Sequence, residues 1–179
     1  MNALVMYLSP GGNTKKVAET IHNTLTSGGI DSVLKTVEEA KADDIFDYDI
    51  VCLGAPSYMW QPPAPVQDYI KGKMGEYNKK GVIKPCCPRV PGKRAAVFVT
   101  YAGPHTGIDE AIPVGKYMAQ FFAHLGYEVV GEWYTVGEFH GSEENSTKGK
   151  LGDIRGRPSQ QDLDDIAGNV KDLLKTING

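Results

Sequence analysis

Cysteines and long apolar runs are both scarce in this chain, and each scarcity excludes a class of protein. Only 3 of the 179 residues are cysteine, an odd number that does not make a disulfide framework. No apolar run approaches the roughly 20 residues that cross a bilayer. The first apolar run, residues 3–8, is too short for a signal-peptide core and has no basic flank before it. We therefore expect a cytoplasmic protein with no membrane insertion.

An excess of charge is also missing. The chain has 19 Lys and Arg residues against 22 Asp and Glu residues, for a formal net charge of −3. This balance argues against broad binding to nucleic acid or to anionic membranes. The hydrophobic share of 41% and the charged share of 23% are those of an ordinary globular protein. Because the length suits one sizeable core better than two, we expect residues 1–179 to form a single domain.

Short apolar runs alternate with longer amphipathic stretches along the chain. The apolar runs predict five strands, at residues 3–8, 32–37, 48–54, 94–100 and 128–135. Helical spacing of apolar residues predicts four helices, at residues 13–26, 65–74, 108–125 and 160–177. Continuous apolar strands alternating with helices indicate an α/β fold, with a parallel sheet covered by helices on both faces. The stretches 76–93 and 137–158 lack clear periodicity and predict long loops, which are often functional or mobile.

The first candidate binding loop, residues 9–14, follows the first predicted strand. Ligands of open parallel sheets bind beyond the carboxyl ends of the strands, so this position is informative. Gly11 and Gly12 let the backbone approach an anion, while Ser9, Asn13 and Thr14 supply polar side chains. The next helix adds free N–H groups and the positive end of its dipole. The loop therefore predicts a phosphate cradle, the alternative being a tight turn before a capped helix.

Two further loops follow the third and fourth predicted strands. In residues 54–65, Tyr58 and Trp60 lie in a proline-stiffened loop and suit stacking on a flat ring. The alternative is that both aromatic rings fold back over the core. In residues 100–107, Gly103 permits close backbone approach, Tyr101 offers another ring and His105 is titratable. Three such loops at one end of a sheet indicate a ligand site.

These loops resemble those of a known family. The segment Tyr7-Leu-Ser-Pro-Gly-Gly-Asn-Thr-Lys-Lys-Val-Ala18 is similar to the flavodoxin signature, an aromatic residue followed by Ser-x-Thr-Gly-x-Thr and a helix. Gly54-Ala-Pro-Ser-Tyr-Met-Trp60 and Thr100-Tyr-Ala-Gly103 resemble the family's second and third loops around flavin mononucleotide (FMN). The resemblance covers nearly the whole chain in order and spacing. One departure is Gly11, where the family usually has Thr, so that a hydroxyl donor is lost.

The resemblance implies a fold, a cofactor and a set of site residues. The fold is a flavodoxin-like three-layer sandwich with a five-stranded parallel sheet in the order 2-1-3-4-5, and the cofactor is FMN. The residues implied to hold the phosphate are Ser9, Gly11, Gly12, Asn13 and Thr14. The residues implied to flank the isoalloxazine ring are Pro56, Ser57, Tyr58, Met59 and Trp60 on one side, and Thr100, Tyr101, Ala102, Gly103 and His105 on the other. No metal ligand and no catalytic residue is assigned.

Three functions remain open from the sequence. The first is an electron-transfer flavodoxin that docks transiently to redox partner proteins, in which stacked aromatic rings and few cations lower the flavin potential. The alternative is an FMN-dependent NAD(P)H:quinone-type oxidoreductase, for which residues 137–158 would supply a substrate element and His105 or His140 a proton. The third is a module that binds another phosphate ligand, which only Gly11 favours. Reduction of the flavin by NAD(P)H separates the first two.

Overall fold

The computed structural model describes residues 1–178 and shows the predicted alternation of strands and helices. The strands are β1 (Asn2–Tyr7), β2 (Asp31–Thr36), β3 (Ile50–Pro56), β4 (Arg94–Tyr101) and β5 (Glu128–Val136). The helices are α1 (Asn13–Ser27), α2 (Ala64–Lys79), α3 (Ile112–His124), α4 (Glu143–Thr147) and α5 (Gln160–Asn178). No helix within this part of the chain combines the length and apolarity that a membrane span requires.

The strands form one parallel sheet in the order β2-β1-β3-β4-β5. This order confirms the fold expected from the resemblance. The order reverses between β1 and β3, since the chain moves from β1 outward to β2 and then crosses to the other side of β1. A crevice therefore opens at the carboxyl ends of β1 and β3, where ligands of such sheets bind.

The central strands are buried on both faces, because successive side chains of a strand point to opposite sides of the sheet. In β1, Leu4 and Met6 join one core cluster while Ala3 and Val5 join the other, and all four are fully buried. Apolar residues of α2 and α3 complete the first cluster, and those of α1 and α5 complete the second. The result is a three-layer sandwich.

The helix boundaries differ from the prediction by more than one residue at two places. Helix α2 continues to Lys79 rather than ending at residue 74, because the fully buried Tyr77 donates a hydrogen bond to Asp44 Oδ1 (2.8 Å) and accepts one from Ile45 N (3.1 Å). Helix α3 begins at Ile112 rather than at residue 108, with Pro113 in its first turn, a position that suits proline. A separate 3-10 turn, Gly107–Glu110, precedes it.

The β5–α5 segment, residues 137–159, contains the short helix α4, which periodicity did not predict. The Ser142 side chain caps it by accepting a hydrogen bond from Asn145 N (3.2 Å). At the end of the segment, Ser159 N donates to Asp162 Oδ2 (2.7 Å) and Asp162 N donates to Ser159 Oγ (3.3 Å). This reciprocal pair is a capping box at the start of α5.

Candidate functional site

A cleft of about 850 Å³ opens beyond the carboxyl ends of the sheet. Its walls come from loop 1 (residues 8–14, which include the first two residues of α1), loop 2 (residues 57–63), loop 3 (residues 102–106) and the β5–α5 segment. The first three follow β1, β3 and β4, so the sheet itself brings them together. The cleft therefore lies at the crevice that the strand order creates.

Loop 1 presents a row of unpaired backbone donors. The amides of residues 11–14 donate to no acceptor within the described residues 1–178. Gly12 has a φ of 88°, in the left-handed region, and precedes α1 without a side-chain cap. Ser9 Oγ instead accepts from Lys15 N (2.9 Å). Because these amides lie at the positive end of the α1 dipole, loop 1 is suited to an anion.

Two side chains at the end of loop 1 connect it to its neighbours. The hydroxyls of Thr14 and Thr100 are hydrogen-bonded at 2.7 Å, and both residues are buried. Asn13 Nδ2 donates to the carbonyl oxygen of Glu138 (2.9 Å). Loop 1 is thus fixed against the end of β4 and against the β5–α5 segment.

Loop 2 carries bulky apolar side chains at a strained turn. Tyr58 and Gln61 exchange two backbone hydrogen bonds (3.0 and 3.1 Å), with Met59 and Trp60 between them at φ values of 49° and 64°. A turn with two positive φ values favours Gly, Asn or Asp, and other residues lose about 1–2 kcal/mol each there. Tyr58, Met59 and Trp60 are nevertheless 48%, 82% and 60% exposed. The aromatic rings therefore do not fold over the core, and a strained turn of this kind is typical of functional sites.

Loop 3 is shaped by one carboxylate and one glycine. Glu110 Oε1 accepts hydrogen bonds from His105 N (2.8 Å) and Thr106 N (2.7 Å). Gly103 has a φ of 55°, and a Cβ there would lie 2.5 Å from the carbonyl oxygen of Gly107. The amides of Ala102 and Gly103 donate to no acceptor within residues 1–178. Loop 3 therefore offers backbone donors in a fixed arrangement.

The β5–α5 segment closes the remaining side of the cleft. Phe139, His140 and Asn145 line it there. Lys150 N donates to the Pro104 carbonyl oxygen (2.8 Å) and Lys150 Nζ to that of Thr106 (3.2 Å). Since Glu138 also binds Asn13, the segment bridges loops 1 and 3.

The structure brings fourteen of the fifteen predicted site residues to the lining of one cleft. The exception is Gly12, which shapes the turn into α1 without lining the cleft. The cleft also has lining residues that were not among the predicted set: Pro10, Pro104, Thr106, Glu110, Gly137, Glu138, Phe139, His140, Gly141 and Asn145. Six of these ten lie in the β5–α5 segment. The sequence signal that could have indicated them is that this segment begins at the carboxyl end of a predicted strand, as the other three loops do.

Comparison with known proteins places the chain in a family. A family model described as a flavodoxin domain matches residues 4–126. The chain belongs to the flavodoxin family. No protein among the curated sequences gives a significant match.

Solved flavodoxin structures share the fold over almost their entire length. A flavodoxin from the domain Archaea is 19% identical, with 100% of both chains covered and a TM-score of 0.65. Flavodoxin 1 from Bacillus cereus is 14% identical, with 98% of each chain covered and a TM-score of 0.68. A Streptococcus pneumoniae flavodoxin is 17% identical, with 98% of this chain and 99% of that one covered and a TM-score of 0.65. At these identities the likeness shows the fold.

Family membership also gives the class of function. The protein is an FMN-binding electron-transfer protein of flavodoxin type, and carriers of this type work with redox partners. Flavodoxins are themselves an example of ligand binding where the strand order reverses. The cleft of this chain lies at the same topological position, and the fold, family and cofactor expected from the sequence are confirmed.

Proposed function

We propose that the cleft holds FMN with its phosphate on loop 1 and its ring between loops 2 and 3, and that the protein carries electrons between redox proteins. One observation carries this proposal. Unpaired backbone donors lie at one end of the cleft, and exposed aromatic rings lie at its rim on a neighbouring strand end. These are the two features that a phosphorylated flat ring requires.

The phosphate end depends chiefly on backbone groups. The amides of residues 11–14 are the free donors, whereas the side chains of Asn13 and Thr14 already bind Glu138 and Thr100. Ser9 Oγ accepts from Lys15 N and keeps its own proton to donate. No Lys or Arg lines the cleft within residues 1–178. The donor set therefore fits a single phosphate group held by neutral donors.

The ring end would be positioned by Tyr58 and Trp60 of loop 2 and by Tyr101 and the free amides of loop 3. FMN supplies reversible electron transfer when bound, and the protein tunes it through its surroundings. Burial raises the pKa of Tyr101 and outweighs the charge of Arg157, which acts to lower it. The phenol therefore stays neutral near pH 7. The acidic side chains at the cleft are Glu110 and Glu138. They oppose negative charge on the flavin ring and would therefore favour a low reduction potential of the flavin.

Two observations support a carrier over a reductase. The apolar rim formed by Met59 and Trp60 is open to a protein partner. The absence of Lys and Arg from the described cleft lining leaves no side chain of fixed positive charge for the phosphates of a pyridine dinucleotide.

The second candidate is an FMN-dependent NAD(P)H:quinone-type oxidoreductase. One feature favours it, the extra wall made by the β5–α5 segment, which brings His140 and Asn145 to the cleft. His105 also lines the cleft. Its role as a proton donor stays a prediction.

A spectrum followed by two reductants tests the proposal. The purified protein is expected to show oxidised-flavin absorption, or to acquire it when FMN is added, and to bleach with dithionite. Under anaerobic conditions NADH or NADPH alone should leave the bands unchanged over minutes. Rapid bleaching by either nucleotide would favour the reductase instead. Failure to bind FMN would refute the assignment of the cleft.

Two broader expectations stay predictions. The two core clusters pack on opposite faces of one sheet, which supports the proposal of a single domain. The cytoplasmic location rests on the sequence considerations given above.

A further inference from the structure

Gly11 in loop 1 leaves a space that a side chain from elsewhere in the chain fills. The φ of Gly11 lies outside the left-handed region, so the backbone does not require glycine there. A Cβ on Gly11 would nevertheless lie 3.0 Å from His140 Cδ2 and 3.6 Å from His140 Nε2. The missing side chain thus leaves room for the Cδ2–Nε2 edge of the imidazole beside Gly11.

The backbone just before His140 is fixed by contacts at residues 137 and 138. Asn13 Nδ2 donates to the Glu138 carbonyl oxygen (2.9 Å), and a Cβ on Gly137 would lie 2.8 Å from Asn13 Nδ2. Gly156 N donates to Glu138 Oε2 (2.8 Å), which fixes the carboxylate. The segment that carries His140 is therefore held against loop 1 before any ligand arrives.

The two nitrogens of His140 have different surroundings. Nδ1 lies 3.9 Å from Glu138 Oε1, so the Glu138 carboxylate lies beside this edge of the ring. Nε2 lies on the side of Gly11. Because the side chain is 52% exposed and lines the cleft, Nε2 can reach a ligand held by loop 1. The imidazole can then supply a side-chain N–H donor to a cleft whose described lining contains no Lys or Arg.

We propose that His140 is a phosphate ligand, donating from Nε2 in the place of a side chain at position 11, and that it selects phosphorylated flavin over riboflavin. This inference rests on the proposed FMN site. A residue more than 120 positions away in the chain would then complete the loop 1 anion site. Glu138 would act as the positioning residue for the ring.

Paired titrations with FMN and riboflavin test the inference, because the two ligands differ only in the phosphate. Flavin fluorescence quenching would give both dissociation constants for the wild-type protein, His140→Ala, His140→Gln and the control His124→Ala, which changes a residue at the far end of α3. We expect His140→Ala to weaken FMN binding about tenfold to a hundredfold, the range for a hydrogen bond to a charged group. Riboflavin binding should stay unchanged, and His140→Gln should lose less than His140→Ala.

A compensating substitution distinguishes a His140 that binds the phosphate from a His140 that only fills space beside Gly11. Gly11→Thr in the His140→Ala background places a hydroxyl in the vacated space, and we expect it to restore part of the preference for FMN. Equal losses for both flavins, or no loss in His140→Ala while the wild-type protein prefers FMN, would overturn the role of His140 and leave the proposed site intact. A wild-type protein that binds neither flavin would refute the site itself. Unchanged riboflavin binding also shows that each variant is folded.

Discussion

The buried hydroxyl pair Thr14–Thr100 offers a direct test of how the site is held together. The two oxygens are 2.7 Å apart, and the residues are 1% and 3% exposed. Thr100→Val keeps the shape of the side chain and removes its hydroxyl, so Thr14 Oγ1 loses its hydrogen-bond partner in a buried position. Leaving one buried polar group unpaired costs about 1–3 kcal/mol. We expect the flavin-free protein to lose that much free energy of unfolding.

A double-mutant cycle isolates the pair from the other effects of each substitution. Thr14→Val alone is expected to cost a similar amount for the same reason. The double variant removes both polar groups, and replacing both partners by apolar groups of the same shape is close to neutral. The double variant should therefore lose less free energy of unfolding than the two single losses added together. The difference should be about 0.5–3 kcal/mol, the range for residues in contact.

Urea denaturation of the flavin-free proteins gives the free energies of unfolding, provided that all variants have the same m-value. Gly168→Ala is a matched reference on α5, since a Cβ there meets nothing within 4 Å and alanine favours a helix by about 1 kcal/mol. Strictly additive losses in the two threonine variants would refute the reasoning, because they would mean that the two hydroxyls do not depend on each other.

Three further predictions concern the loops and the start of α5. Trp60→Ala should weaken FMN binding about tenfold if the ring stacks on the flavin, since stacking contributes about 1–3 kcal/mol. Tyr117→Ala, at an exposed residue of α3, is the control in the same fluorescence titration. Equal FMN affinities for Trp60→Ala and the wild-type protein would contradict stacking. Gly103→Ala should destabilise the protein by about 1–3 kcal/mol and weaken FMN binding, because a Cβ there would lie 2.5 Å from the Gly107 carbonyl oxygen at a φ of 55°; urea denaturation and the titration together check this. Burial would raise the pKa of Asp162, but hydrogen bonds from Arg157 and Ser159 outweigh it and lower the pKa. Its contribution to stability is thus present above the ordinary Asp pKa of about 3.9 and is lost as the pH falls through the folded value, so Asp162→Asn should lower the urea midpoint at pH 7 and flatten its decline below pH 4.

Much of the fold could be predicted because its signals are local. The apolar runs that became β1, β3 and β4 are buried on both faces, and such strands are continuous in sequence. The loop motifs are equally local, since each lies directly after a strand. Parallel strands put their carboxyl ends at one edge, so the motifs were expected to meet, and they do.

The parts that sequence did not predict depend on contacts between distant segments. The extension of α2 to Lys79 rests on hydrogen bonds between Tyr77 and residues 44 and 45, donated to Asp44 and accepted from Ile45. The β5–α5 segment has no periodic pattern, and its place over the cleft is set by the bonds from Asn13 to Glu138 and from Lys150 to Pro104. Met59 and Trp60 adopt left-handed backbone angles that their residue types disfavour. No local propensity encodes these three features.

The connections among the loops bear on what the protein does with electrons. Ser57 N and Thr14 both bind Thr100, one at its carbonyl oxygen (2.9 Å) and the other at its hydroxyl (2.7 Å). Loops 1 and 2 are thus both anchored to a single residue, Thr100, near the carboxyl end of the interior strand β4. A cofactor bound in such a cleft does not have to order the loops, and preorganised dipoles need not rearrange when its charge changes. Such preorganisation suits electron transfer, and together with the exposed rim of Met59 and Trp60 it supports the proposal of a carrier over an enzyme whose site closes over a second substrate.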